Sequence, residues 1–172
     1  KSEPLSPCRT KSEPLSLSRA KSEPLQPDTG APPSSLAQPY ACLILSGPEP
    51  QRSLLLRKVS ESLREFPLAV LSATPLNTPL PSGQAIHLLT GAETGTMRQV
   101  ITGASMVIAR TGYTSVMELV SLGMGAVLIP TPGQTEQEYL GRHLDGRYGF
   151  ITMNQNRLER LASVILPEHK KE

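Results

Sequence analysis

The 172-residue sequence contains no tryptophan, and aromatic residues make up only 3% of it. A platform on which nucleic-acid bases stack needs exposed aromatic side chains, so this class of site is not expected. The formal net charge at pH 7 is only +2, and the basic residues are scattered rather than clustered. We therefore expect no nucleic-acid partner.

Cysteine is also scarce, with Cys8 in a polar repeat and Cys42 in an apolar segment. Two cysteines in such different surroundings do not predict a disulfide framework, and they favour a reducing, cytoplasmic compartment. No run approaches eighteen consecutive apolar residues, and the N-terminus has no apolar signal core, so no membrane-spanning helix is expected. Because the sequence does not begin with methionine, we expect a fragment or a processed product.

Residues 1–38 differ in character from the rest of the chain. KSEPLSPCRT, KSEPLSLSRA and KSEPLQPDTG repeat with a period of ten. Each copy has a leucine anchor, Leu5, Leu15 or Leu25, and the second copy adds Leu17. Ordering a backbone costs about 1–2 kcal/mol per residue, which so few apolar side chains do not offset. We predict a disordered or extended linker, with serine phosphorylation or partner binding as the functional alternative.

From Tyr40 onward, apolar segments typical of strands alternate with helix patterns. Strands that are apolar on both faces are typical of a parallel sheet covered by helices on both sides. The right-handed crossover rule then predicts an α/β fold, a Rossmann-like, doubly wound parallel sheet of about six strands. We assign residues 39–168 to this domain and residues 169–172 to a charged tail. The predicted strands are 41–46, 68–73, 85–90, 105–110, 126–130 and 150–153, and the predicted helices are 53–66, 94–104, 115–123, 135–145 and 156–166.

Ligands of such sheets bind beyond the carboxyl ends of the strands, so the segments after the strands are candidate sites. After the first strand, Gly47 permits a tight turn and Arg52 lies at a predicted helix start. Backbone amides at that helix start, or Arg52 itself, would bind a phosphate. An ordinary turn explains the segment equally well, since Pro48 and Pro50 have no amide proton to donate.

After the fourth strand, the sequence RTGYTS leads into a helix that contains Glu118. Gly112 frees the backbone, and the hydroxyl of Thr114 or Ser115 is placed to cap the helix. The amides of the first turn would then suit a diphosphate. The Glu118 carboxylate is able to accept two hydrogen bonds from a cis-diol such as ribose, but it would equally complete a capping box with Ser115. The spacing alone leaves both explanations open.

After the fifth strand, the sequence PTPGQTEQEY places acids and amides at the next predicted helix start. Acids in a first helical turn complement the helix dipole, which explains part of the pattern. Four long acid and amide side chains within five residues exceed what capping requires, and such groups are the usual partners of sugar hydroxyls. The four residues are Gln134, Glu136, Gln137 and Glu138.

Residues 105–144, SMVIARTGYTSVMELVSLGMGAVLIPTPGQTEQEYLGRHL, resemble the C-terminal, donor-binding half of GT-B glycosyltransferases of the family 28 type. The shared pattern is a strand, R-T-G, a helix with Glu, a strand, a proline loop and Q-E-Y at the next helix start. The resemblance is closest to the group of N-acetylglucosaminyltransferases that form lipid II. It extends over roughly residues 40–165, and ILSGPEPQR at 44–52 resembles the first-strand loop of a bacterial subgroup.

The resemblance implies a role for each matching residue. It implies that Glu118 holds the ribose of a UDP-sugar, and that Gln137 and Glu138 hold the sugar, with Gln134 beside them. Glu138 stands where glutamine is commoner in the family, and the loop at 44–52 departs from the family's Gly-Gly-Ser form. The residues implied near the diphosphate are Gly112, Tyr113 and Thr114, and the secondary phosphate candidates are Gly47, Arg52 and Arg110.

The resemblance also implies that a part is missing. GT-B enzymes place the acceptor, and usually the catalytic base, in an N-terminal domain, whereas residues 1–38 occupy that position here. We therefore name no catalytic residue, and we expect a UDP-sugar as substrate, no cofactor and no metal site.

The expected function is the donor-binding half of a glycosyltransferase that transfers a hexosyl or N-acetylhexosaminyl group from a UDP-sugar and is incomplete for catalysis alone. A separate N-terminal acceptor-binding half and peripheral contact with the inner face of the membrane belong to the same expectation. The alternatives are a non-enzymatic subunit that binds a nucleotide-sugar and needs a separate acceptor domain, and an inactive fragment.

Overall fold

A computed structural model describes residues 39–165, so the predictions for residues 1–38 and 169–172 lie outside the described range. Within this range, the strands and helices follow one another in the predicted order, with a connection that contains no helix between the second and third strands. The strands are β1 (Ala41–Leu45), β2 (Leu68–Ser72), β3 (Ile86–Thr90), β4 (Met106–Arg110), β5 (Val127–Ile129) and β6 (Ile151–Thr152). The helices are α1 (Gln51–Ser62), α2 (Thr94–Thr102), α3 (Tyr113–Ser121), α4 (Thr135–Leu144) and α5 (Leu161–Ile165), the last preceded by a 3₁₀ segment, Gln155–Arg160.

The six strands form one parallel sheet in the order β3-β2-β1-β4-β5-β6. At its centre, Cys42 of β1 is in register with Ala69 of β2 on one side and with Val107 of β4 on the other. The chain winds outward first through β2 and β3 and then through β4, β5 and β6. The switch point between β1 and β4 is where doubly wound sheets bind ligands. The predicted fold class is confirmed.

The interior consists of two cores, one on each face of the sheet. Successive strand residues point to opposite faces, so Cys42 packs with α2, α3 and α4, whereas Leu43 packs with α1 and the C-terminal segment. Both faces are covered, which explains why the strands are apolar throughout. The helical residues of the first core include Val100, Val116, Leu119 and Leu144, and those of the second include Leu55, Val59, Leu158 and Leu161.

The structure differs from the predicted boundaries mainly at the C-terminal end. Instead of one helix over 156–166, a 3₁₀ segment with a non-helical φ of −119° at Arg157 precedes α5. The side chain of Asn154, the N-cap residue of the 3₁₀ segment, accepts a hydrogen bond of 2.9 Å from the amide of Asn156. None of the helices between residues 39 and 165 is long and apolar enough to cross a membrane.

Candidate functional site

Two helices begin beside the switch point, α1 after β1 and α3 after β4. The loop before α1 satisfies its own hydrogen-bonding groups. The Glu49 carboxylate accepts from the amide of Ser53 at 3.2 Å and from Nε of Arg52 at 3.1 Å. Hydrogen bonds from Ser53, together with the Arg52 guanidinium, lower the pKa of the Glu49 carboxyl. A carboxylate of the protein therefore already occupies the position at this helix start that a phosphate would take.

Gly47 and Arg52 both stabilise the loop after β1. Gly47 has a φ of +96°, a conformation that glycine adopts without strain. Besides its bond to Glu49, Arg52 donates to the hydroxyl of Thr74 and, at 3.0 Å, to the carbonyl of Pro75. Arg52 thus ties the loop after β1 to the loop after β2. A phosphate contact from Gly47 or Arg52 stays a prediction.

The N-terminus of α3 is open, in contrast to that of α1. The helix begins at Tyr113 with Gly112 as its N-cap residue, and no side chain caps it. The first helical bond runs from the amide of Val116 to the carbonyl of Gly112 at 3.0 Å. The predicted cap by Thr114 or Ser115 is wrong, because both residues lie inside the first turn. The amides of that turn point out of the helix end, where an anion would complement them.

The position at which α3 begins also decides whether Glu118 completes a capping box or is available to a ligand. Glu118 lies in the second turn of α3, beyond the reach of the N-cap, so the capping-box explanation is wrong. Its side chain is half-buried, and within residues 39–165 the carboxylate has no hydrogen-bond partner. Its backbone carbonyl accepts from the hydroxyl of Ser121 at 2.7 Å and from the amide of Leu122 at 3.0 Å. The carboxylate is therefore available to a ligand.

Arg110 lies at the end of β4, with only 2% of its surface exposed. Its guanidinium donates to the carbonyl of Gln51 in α1 at 2.9 Å and to the carbonyls of Ile129 and Pro130 after β5 at 3.4 Å each. Burial lowers the pKa of Arg110 to about 10, so the side chain remains a cation at neutral pH. Arg110 thus joins three strand ends and places a positive charge beside the switch point. A direct phosphate contact from Arg110 stays a prediction.

Thr111 is a switch-point residue that the sequence analysis did not single out. It is 1% exposed, and its hydroxyl oxygen is buried without a hydrogen-bond partner among the described residues. Oε1 of Gln51 is also buried without a hydrogen-bond partner among the described residues. The backbone carbonyl of Gln51 accepts a hydrogen bond from Arg110. A buried unpaired polar group costs about 1–3 kcal/mol, which points to a functional reason for its presence. No local pattern marks such a residue; only its position directly before Gly112 hints at it.

The polar side chains of the loop after β5 partly serve the loop itself. Oε1 of Gln137 accepts from the amide of Thr131 at 3.0 Å, and its amide nitrogen donates to Oε1 of Gln134 at 2.6 Å. Oε1 of Glu138 accepts from the amide of Gly133 at 3.0 Å. These bonds account for part of the polar crowding seen in the sequence. They also hold Gln134, Gln137 and Glu138 in one cluster, and their roles toward a sugar stay predictions.

A groove of about 340 Å³ lies beside this cluster. Glu138 and Arg142 of α4 form one side of it, Pro130 and Pro132 belong to the loop after β5, and Thr152 and Asn154 follow along β6. Because β4 and β5 are paired, with Arg110 in register with Ile129, the open start of α3 and the loop after β5 lie next to each other. Among the described residues, no group of three or more His, Cys, Asp or Glu side chains is placed to hold a metal ion.

Comparison with known structures finds a similar fold in glycosyltransferases. The structure of MurG from Acinetobacter baumannii is 20% identical in sequence with a TM-score of 0.55, over 75% of this chain and 42% of that one. The spinosyn rhamnosyltransferase SpnG, solved with thymidine diphosphate, is 14% identical with a TM-score of 0.57, over 81% of this chain and 41% of that one. At these identities the likeness concerns the fold, and this chain spans about two fifths of each of these proteins.

Sequence comparison finds a family model that matches the C-terminal part of the chain. No curated protein matches the chain. Residues 93–172 match the model of the glycosyltransferase family 28 C-terminal domain. The matched range includes the whole of residues 105–144, on which the resemblance rests. Residues 93–172 are thus similar to a glycosyltransferase family 28 C-terminal domain, and the sheet order and the fold of the neighbouring structures agree with this similarity.

Proposed function

We propose that this domain binds the nucleoside diphosphate sugar donor of a glycosyltransferase, and that the donor is a UDP-sugar. The observation that carries the proposal is the uncapped start of α3 at the switch point of a family 28 domain. A helix start without a side-chain cap offers free amides and a positive dipole end, and these suit a diphosphate. The nearby Arg110 cation, with its charge retained at neutral pH, favours the same anion.

Each part of the donor has proposed partners in the structure. The diphosphate accepts hydrogen bonds from the amides of Gly112, Tyr113 and Thr114. The ribose hydroxyls donate to the carboxylate of Glu118. The sugar binds to the cluster of Gln134, Gln137 and Glu138 at the start of α4. Within that cluster, one oxygen of Glu138 and one amide hydrogen of Gln137 remain free of the loop bonds, so both side chains keep capacity for sugar hydroxyls.

We further propose that the chain acts as one half of a transferase. It spans 42% of the MurG structure it matches, so the acceptor site and the catalytic base are proposed to come from a second half. The completed enzyme would transfer a hexosyl or N-acetylhexosaminyl group. The same short span favours the second candidate, a non-enzymatic donor-binding subunit. A location on the cytoplasmic side, in peripheral contact with the membrane, is part of this proposal and is testable by fractionation of cells at low and high salt.

Calorimetric titration with UDP, UDP-N-acetylglucosamine, GDP and thymidine diphosphate tests donor binding. We expect the two uridine nucleotides to bind more tightly than the other two. Glu118→Ala should weaken UDP binding about 10- to 150-fold, because hydrogen bonds to a charged group contribute about 1.5–3 kcal/mol. Glu136→Ala removes an exposed acid of α4 and serves as the matched control. No binding by the unmodified chain, or equal binding by both variants, would contradict the proposal.

A further inference from the structure

A second groove runs along α1, between this helix and the connection from β2 to β3. Its first part, about 490 Å³, is apolar and is formed by Leu54 together with Pro79 and Leu80 of the connection between β2 and β3. Its second part, about 390 Å³, contains Glu61 and Arg64 beside the end of the same connection. Both parts include Arg57 and Pro81, so they follow one another along the helix. We call the whole surface the α1 groove.

The α1 groove has an exposed hydrophobic residue at one end and unpaired polar and charged groups at the other. In the apolar part, Leu80 is 38% exposed although it is a large hydrophobic residue. In the polar part, the exposed charges Arg57, Glu61 and Arg64 have no ion pair within residues 39–165. The hydroxyl of Ser60 and Oε1 of Gln84 are buried there without hydrogen-bond partners among the described residues.

We propose that the KSEPL repeats of the same chain, residues 1–5, 11–15 and 21–25, bind in the α1 groove one at a time. The order of groups along the groove matches the order of groups in the motif. Leucine and proline fit against Leu54 and Leu80, the glutamate fits at Arg57, and the lysine fits at Glu61. Proline favours an extended backbone conformation, which suits an elongated groove.

The dimensions agree with this pairing. Leu54 and Glu61 are seven positions apart on one helix, which corresponds to about 10 Å. Four steps of an extended proline-type helix, from the lysine to the leucine of one repeat, span about 12 Å. One repeat therefore fills the α1 groove, and the three copies are equivalent candidates for it. Arg57 and Glu61 lie four residues apart on the same helix face, which suits the alternating charges of the motif.

The point at which the described chain begins also permits this contact. The amide of Ala41 binds the carbonyl of Pro67, and the amide of Leu68 binds the carbonyl of Ala85, each at 2.9 Å. Pro39 therefore lies at the same sheet edge as the polar end of the groove, about two strand spacings or ~10 Å away. Fourteen positions separate Leu25 from Pro39, and a chain of that length has a root-mean-square span of about 20 Å. Tethering at this range gives effective concentrations in the millimolar range.

A nitroxide spin label on Cys8, three residues after Leu5, tests the proposal in the full chain. Cys42 is completely buried and burial raises the pKa of its thiol to about 12, so native protein takes up label at Cys8 selectively. We expect paramagnetic broadening of the amide signals of Leu54, Arg57 and Leu80, but not of Tyr148 on the far side of the sheet. Arg57→Glu and Leu80→Ser should each reduce the broadening at the α1 groove at least twofold, whereas Arg98→Glu on α2 should leave it unchanged.

Two results would overturn the proposal. One is uniform or absent broadening, or broadening that persists unchanged in both groove variants. The other comes from a mixture of two proteins. One is spin-labelled at Cys8 and contains no ¹⁵N, and the other is ¹⁵N-labelled Cys8→Ser protein without a spin label. Broadening at the α1 groove in this mixture, equal to that within the single chain, would show that a second copy supplies the repeat. The readout needs no nucleotide, so it stands or falls independently of the proposed donor site.

Discussion

At the residue scale, Gln137 has two roles. Its side chain stabilises the loop after β5 through two hydrogen bonds, and it is a proposed ligand of the sugar. Gln137→Ala removes the acceptor for the amide of Thr131, so we expect a loss of about 0.5–1.5 kcal/mol in the free energy of unfolding together with weaker donor binding. Gln137→Glu keeps an oxygen for Thr131 but loses the amide donor. We expect near-normal stability and weakened UDP-N-acetylglucosamine binding for this variant.

Urea unfolding and calorimetric titration separate the two tasks, with Glu136→Ala as the neighbour that bonds neither the loop nor, in the proposal, the sugar. Normal donor affinity in Gln137→Glu would remove Gln137 from the proposed sugar site and leave it as a loop residue only.

Cys42 provides a prediction about pH. Burial raises the pKa of its thiol from 9.0 to about 12 in the folded protein. A folded pKa above the unfolded value means that the stabilisation is fully present below pH 9 and is lost as pH rises toward 12. We expect the free energy of unfolding to fall above pH 9 by up to about 1.4 kcal/mol per pH unit on account of this group.

Urea unfolding between pH 7.5 and about 11 checks the expectation for Cys42. Cys42→Ala should flatten the decline between pH 9 and 10, whatever its effect on stability at neutral pH. The decline above pH 10 should remain, because burial also raises the pKa of the Tyr40 hydroxyl to about 12. An equally steep decline in the variant between pH 9 and 10 would assign the effect to another group.

At the element scale, the entry to β5 depends on a close backbone contact. A Cβ atom added at Gly125 would lie 2.5 Å from the carbonyl oxygen of Gly149, where backbone cannot move aside easily. Gly125→Ala should therefore destabilise the protein by about 1–3 kcal/mol. Gly95→Ala is the matched control, since Gly95 lies within α2 with no atom within 4 Å of the added Cβ. It should stabilise by about 0.5–1 kcal/mol. Thermal unfolding that shifts in the same direction for both variants would contradict this account.

The elements also show what a single sequence can predict and what it cannot. The strands were located because each is a short apolar run, a signal that burial on both faces makes strong. The sequence predicts the start of α3 too late, because Thr114 and Ser115 fit the pattern of a capping residue, whereas β4 ends at Arg110 and the helix begins at Tyr113 after Gly112. The partners of Arg110 were beyond prediction for a similar reason, since the carbonyl of Gln51 is 59 residues away along the chain.

At the scale of the whole molecule, the order of the strands brings together loops that are far apart in the sequence. The loops after β1, β4 and β5 come together only because β1 pairs with β4 and β4 pairs with β5. Arg110 joins all three ends through its bonds to Gln51, Ile129 and Pro130. The result is a one-sided surface at the edge of a sheet. Such a surface is able to bind a donor, but a transferase site also needs an acceptor and the exclusion of water.

This one-sidedness leads to a prediction for the isolated chain. It should bind UDP-N-acetylglucosamine, and saturating UDP at 100 times its dissociation constant should stabilise it by about 2.7 kcal/mol. It should nevertheless release UDP at a rate far below the 1–10³ s⁻¹ typical of enzymes, because holding both substrates together contributes about 7–11 kcal/mol to lowering such a barrier. A thermal-shift titration and a coupled assay for UDP release measure the two quantities on the same sample. At the same UDP concentration the Glu118→Ala variant should be stabilised by only about 0.3–1.4 kcal/mol, because its affinity is expected to be 10- to 150-fold weaker. Turnover in the enzymatic range that Glu118→Ala abolishes would show that this chain itself supplies the acceptor site and the base, and would replace the half-enzyme proposal with a complete one.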